Sequence, residues 1–158
     1  MTFSWVYVVQ WLHILAGITW FGGYIFLSFA VWPPLLKRPA AEAKAFFTAI
    51  GQPIGTLMMV SGTSVLILGL IRGIAFGPIK SLEFVFTTAY GLTFLLALTL
   101  AIVMSVYGAV VSSKTIEKVW DGDQFRPNAA QYIRRSNAFS LACFGVILAC
   151  MVLMRFGF

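Results

Sequence analysis

The chain has 158 residues, 60% of them hydrophobic and only 10% charged, where a soluble domain carries about 25% charged residues. With a mean hydropathy of +0.92, these figures exclude a soluble globular enzyme, a disordered chain and a disulfide scaffold, and they leave an integral membrane protein. The net charge of +6 comes from a few basic residues lying between apolar runs, a pattern of membrane-flanking charge and not of a nucleic-acid reading face.

Four apolar stretches are visible, at about residues 5–32, 53–74, 83–112 and 136–156. Crossing the hydrocarbon core takes ~20 helical residues. Backbone groups in lipid must be satisfied within the segment, so the spans are helices. The expected fold is all-α: a single four-transmembrane-helix bundle in a lipid bilayer.

The first stretch has no Lys or Arg before Lys37 and is too long for the apolar region of a signal peptide, so it reads as a retained helix. It has two unlike faces. Gln10, His13, Gly17, Trp20, Tyr24 and Ser28 recur three or four apart and should face the bundle interior. Trp11, Ile18, Ile25, Phe29 and Trp32 fall largely on the other side and should face lipid, with Trp11 and Trp32 near the two interfaces.

In the loop that follows, residues 40–50 read as a surface helix, with Ala43, Phe46, Phe47 and Ile50 on one face. The second span carries Gly51, Gly55, Gly62, Gly69 and Gly73 along one stripe, including two GxxxG pairs, which suits close helix packing and also leaves room for a flat ligand. The third span presents Glu83, Thr87, Tyr90, Ala97, Ala101, Ser105 and Gly108. Glu83 lies where that span begins and complements its dipole, with Lys80 as a nearby charge partner.

Asp121-Gly122-Asp123 and Arg126-Pro127-Asn128 read as turns. The fourth span offers Ser136, Ser140, Cys143, Ile147, Cys150 and Met154 as its inner face. The two cysteines, seven residues apart on one helix, are separated by ~10.5 Å of rise. A disulfide needs Cα atoms within ~7 Å, so they cannot pair within the chain.

Eight basic residues (Lys37, Arg38, Lys44, Lys114, Lys118, Arg126, Arg134, Arg135) fall in the loops after the first and third spans, against three elsewhere (Arg72, Lys80, Arg155). The positive-inside rule therefore expects loops 33–52 and 113–135 in the cytoplasm, both termini outside, and residence in the cytoplasmic membrane.

His13 is the single histidine and lies within a span, where an ionisable side chain costs free energy and marks a candidate site. It sits ~12 Å below the outer end of its helix, level with Leu66 on the second span, Tyr90 on the third and Ile147 to Met151 on the fourth. Two metal readings fit. Haem iron takes an axial histidine, with Met151, Met154 or a partner chain as second ligand and Arg72 and Lys80 as propionate partners. Copper(I) prefers soft ligands, and His13, Cys150 and Met154 make such a set.

The segment Trp11-Leu12-His13-Ile14-Leu15-Ala16-Gly17-Ile18-Thr19-Trp20-Phe21-Gly22-Gly23 resembles the first helix of the CopD (copper-resistance D) family and its smaller HemJ-like relatives: Leu-His, six residues, then Trp-x-Gly-Gly. The resemblance spans about residues 10–34. It implies a compact helical membrane fold with the first-helix histidine facing the interior. In HemJ-like proteins that histidine is tied to haem b and protoporphyrinogen oxidation; in CopD-like proteins the fold is associated with copper passage or resistance. Only His13 carries over by position. The sequence-based expectation is thus a haem-b-binding membrane redox or electron-transfer protein. Copper handling and a non-catalytic subunit are the alternatives, the chain acting alone, as a homodimer or within a larger membrane complex.

Overall fold

The structure, a computed structural model, describes residues 4–157. It is an all-α four-helix membrane bundle with one small hairpin. We number the helices α1 (Trp5–Leu35), α2 (Ala40–Ala75), α3 (Leu82–Thr87), α4 (Ala89–Val119) and α5 (Ala129–Arg155), and the strands β1 (Trp120–Asp121) and β2 (Gln124–Phe125). The long helices α1, α2, α4 and α5 are the ones apolar enough to span a bilayer.

The helix limits differ from those expected, each for a local reason. Residues 40–50 are not a separate surface helix: they continue without a break into the second span, and Pro53 lies inside α2. A membrane helix tolerates such a proline because neighbouring groups re-satisfy the freed carbonyl. At 36 residues α2 is ~54 Å long, well beyond the ~30 Å hydrocarbon core, so one end projects from the bilayer. The third span is divided. Thr88 leaves helical geometry at φ −109° and ψ 150°, which separates Glu83 and Thr87, both exposed on α3, from the inner stripe of α4. The Thr88 hydroxyl donates to the Phe84 carbonyl at 2.7 Å and accepts from Gly91 N–H at 3.0 Å, closing α3 and capping α4 together. Glu83 sits in the first turn of α3, but no ion pair joins it to Lys80 among the described residues.

Helix α1 contains a π-helical turn over Leu27–Val31, where Trp32 N–H reaches the Leu27 carbonyl. Pro33 and Pro34 follow at once. Neither can donate an N–H, and each ring crowds the carbonyl four residues back, so the helix widens there. The additional residue rotates everything beyond it by ~100° relative to an α-helix. Trp11, Ile18, Ile25 and Phe29 are exposed as expected, but Trp32 is swung inward to 6% exposure. It is an end-of-bundle core residue and not a lipid-interface one.

Two apolar clusters hold the bundle. The central one is built on Trp20, Val65, Ala101, Met104, Phe144 and Ile147. The other, at one end, joins Trp32, Leu35, Ala43, Val119, Trp120, Ala129 and Ile133. The hairpin lies over this end cluster. Its two-residue turn places Gly122 at φ +58°, a conformation glycine adopts without steric cost. Trp120 Nε1–H donates to the Ala40 carbonyl at 3.0 Å, and Lys44 donates to the Gly122 carbonyl at 2.8 Å. The connection between α4 and α5 is thereby fastened to the start of α2.

Gly91 is the tightest junction of the α3–α4 break. A Cβ there would lie 2.5 Å from the Phe84 carbonyl oxygen and from Val85 Cα, backbone atoms that no rotamer change can move. Gly91→Ala is expected to destabilise the protein by about 1–3 kcal/mol. Gly22→Ala, with nothing within 4 Å, is expected to be neutral or slightly stabilising. Thermal unfolding of both variants in mild detergent checks the contrast.

Candidate functional site

The interior face of α1 is seated against α2 by glycine. A Cβ at Gly62 would lie 3.0 Å from Trp20 Cε2, and one at Gly69 would lie 3.1 Å from His13 Cε1. The glycine stripe therefore receives two helix-1 rings seven residues apart, one at each of two glycines with the same spacing. Further along, a Cβ at Gly73 would lie 2.6 Å from Phe94 Cε2 on α4. Gly51, at the projecting end of α2, has nothing within 4 Å, so no neighbour packs on the stripe there.

Beside the central cluster the helices leave a cavity of about 780 Å³. Trp20, Val65, Ala101, Phe144 and Ile147 belong to both the cluster and the cavity wall, so the hydrophobic core is the cavity floor. His13 lines the space together with Leu66, Tyr90, Ile147 and Met151, the same levels that the helical rise places opposite it. Its volume falls in the range of small-molecule and cofactor sites, ~300–1,000 Å³.

His13 Nδ1 is buried and has no hydrogen-bond partner among the described residues. Leaving a buried polar atom unpaired costs about 1–3 kcal/mol. That nitrogen lies on the ring edge near Gly69 and not on the open cavity surface.

Arg72 is the second polar feature. It belongs to a π-helical turn over Ile71–Ala75 at the end of α2, and π-turns often occur at functional sites because they re-aim a side chain. Its Nε–H donates to Gln10 Oε1 at 2.9 Å, and a terminal N–H donates to the Phe76 carbonyl at 3.2 Å. Gln10 lies one helical turn from His13, so α1 supplies both the imidazole and the amide that orients the guanidinium. The ion pairs among the described residues, Lys44–Asp123 and Arg126–Asp121, are both formed by hairpin residues at the far end. Arg72 has no carboxylate partner among the described residues. Arg155, exposed at the end of α5, joins it on the cavity wall. The wall is cationic here, and no ion pair compensates it among the described residues.

The candidate residues separate into two groups. His13, Arg72, Met151 and Met154 share the cavity. On α5 the wall is formed by Phe144, Ile147, Leu148, Met151, Val152, Met154 and Arg155. Cys150 is 3% exposed, but it is packed away from the cavity and takes no part in the wall. Lys80 is also outside: its ammonium donates to the Ile74 and Ala75 carbonyls at 2.9 and 3.4 Å, capping the end of α2. Cys143 and Cys150 are both free thiols. Arg155 and Phe94 were not identified as wall residues from the sequence. Arg155 carried a signal, being a cation on the same side as Arg72; an interior phenylalanine carries none.

Because His13 is the sole histidine, its reaction with diethylpyrocarbonate reports on this site alone. Gly69→Val, which adds bulk against the imidazole, is expected to slow that reaction and to cost about 1–3 kcal/mol of stability. Gln10→Ala is expected to leave stability within about 1 kcal/mol, the usual net worth of one hydrogen bond, while freeing Arg72. Thermal unfolding alongside the labelling rate checks both.

Comparison with protein-family models, with curated proteins and with solved structures returned no match to this chain. What the cavity holds must therefore be inferred from its own walls.

Proposed function

We propose that the protein binds haem b and acts as an integral membrane redox or electron-transfer protein. The observation that carries this reading is the sole histidine, His13, on the wall of an apolar cavity that it shares with Arg72, which has no carboxylate partner among the described residues. Haem b is a flat apolar group with one site for an imidazole and two carboxylates, so each of its chemical parts has a counterpart here. When bound, it supplies one-electron exchange at iron.

The chain's own residues would do the rest. His13 would provide an imidazole nitrogen to hold the haem. Arg72, held by Gln10, would pair with a propionate, and Arg155 is available to the other. Trp20, Phe144 and the neighbouring aliphatic side chains would exclude water, and burial of this kind tunes a redox potential. Met151 and Met154 stand as candidate second ligands. The soft copper set fits less well, because Cys150 is outside the wall that His13 and Met154 share. The excess of basic residues at the hairpin end supports an orientation with loops 33–52 and 113–135 in the cytoplasm, which puts the cavity mouth on the outer side of the cytoplasmic membrane.

The test is the absorption spectrum of protein purified in mild detergent from haem-replete cells, first oxidised and then reduced with dithionite, beside His13→Ala. A Soret band with α and β bands on reduction, lost in His13→Ala and weakened in Arg72→Ala, is the expected result. A colourless wild-type protein would overturn the haem reading. Metal analysis of that sample then separates copper handling, which retains copper, from a non-catalytic subunit, which retains no metal.

A further inference from the structure

A second depression of about 440 Å³ lies between α4 and α5 toward the hairpin end of the bundle. Its wall is graded. Asn128 and Gln131 line its outer part, Arg135 and Ser136 its middle, and Phe139 its inner part. From Asn128 to Phe139 the helix rises ~16 Å, enough to run from the headgroup region into the hydrocarbon. Phe139 is 43% exposed on the lipid side, and its ring centroid lies 4.8 Å from that of Tyr107. Tyr107 Oη–H donates to Ser136 Oγ at 3.1 Å and joins the two helices across the groove.

The charge at this end is unbalanced. Asp121 and Asp123 are taken by Arg126 and Lys44. Arg135 has no carboxylate partner among the described residues, and the Asn128 side chain makes no capping bond to α5. A cation, two amides and a hydroxyl thus share the groove wall with the Tyr107–Phe139 ring pair. A soluble anion would use only the polar half. We propose that this groove binds an anionic membrane lipid, with its phosphate against Arg135, Gln131 and Asn128 and its acyl region along Phe139 and Tyr107. Basic pockets between membrane helices recognise lipid headgroups in this manner.

The test is native mass spectrometry of delipidated full-length protein given dioleoylphosphatidylglycerol or dioleoylphosphatidylcholine at equal concentration. Wild type is expected to retain more phosphatidylglycerol. Arg135→Gln should reduce that retention about fivefold, the effect of one interfacial cation. Arg135→Lys should keep most of it. Arg134→Gln, which removes the same charge from an exposed position outside the groove, should stay within about twofold of wild type. Equal losses in the two glutamine variants would assign the effect to diffuse surface charge and overturn the proposal. Equal retention of the two lipids by wild type would also overturn it, and that comparison needs no variant to fold. Complete displacement of phosphatidylglycerol by millimolar inorganic phosphate would assign the groove to a soluble anion instead.

Discussion

The seating of α1 against α2 is the contact on which the rest of the bundle depends. Lipid gives helices little hydrophobic reason to associate, so close packing must supply the attraction. Gly62 and Gly69 provide it by removing side chains where Trp20 and His13 must fit. Trp20 then forms the floor of the interior with Phe144, their rings meeting edge to face at 4.8 Å. His13, two turns away, is left beside open space. The same stripe that packs the helices therefore also determines where packing stops and the cavity begins.

That arrangement gives the two ends of the molecule different characters. At the cavity end, α1 contributes His13 and Gln10, and a π-turn at the end of α2 contributes Arg72. A guanidinium at the edge of a low-dielectric cavity, with no carboxylate partner among the described residues, favours anionic ligands. At the hairpin end the apolar interior is closed. Trp32, Phe47 and Trp120 are in mutual ring contact and Phe125 packs on Trp120, and the hairpin is bonded to α2 through Ala40 and Gly122. One end is sealed and the other open, which is the polarity expected of a site reached from a single face of a membrane.

Two breaks in helical regularity make this possible. The π-turn before Pro33 rotates Trp32 into the end cluster, and the Thr88 break releases Glu83 and Thr87 from the inner stripe. Neither follows from the 3.6-residue period that assigned those side chains to faces, because a period assumes an uninterrupted helix. Pro33 and Pro34 signalled trouble but not its form, since a proline pair permits a kink, a stop or a widened turn. Thr88 gave no such warning.

The sequence by itself determined that the chain spans a membrane four times as helices, because lipid leaves a backbone of this hydropathy no other way to satisfy its polar groups. It also determined the interior face of α1 and singled out His13, because an ionisable side chain at that depth is costly wherever it points. Only the tertiary structure decided which of the candidate residues meet. Met151 and Cys150 are neighbours in the chain, and nothing in their spacing tells that one lines the cavity and the other does not. Lys80 and Arg72 looked equivalent as cations on one side, yet Lys80 is consumed in capping α2 while Arg72 is held at the cavity by Gln10. Such outcomes depend on helix rotation and on local turns of a single residue, and these are set by contacts between segments far apart in sequence.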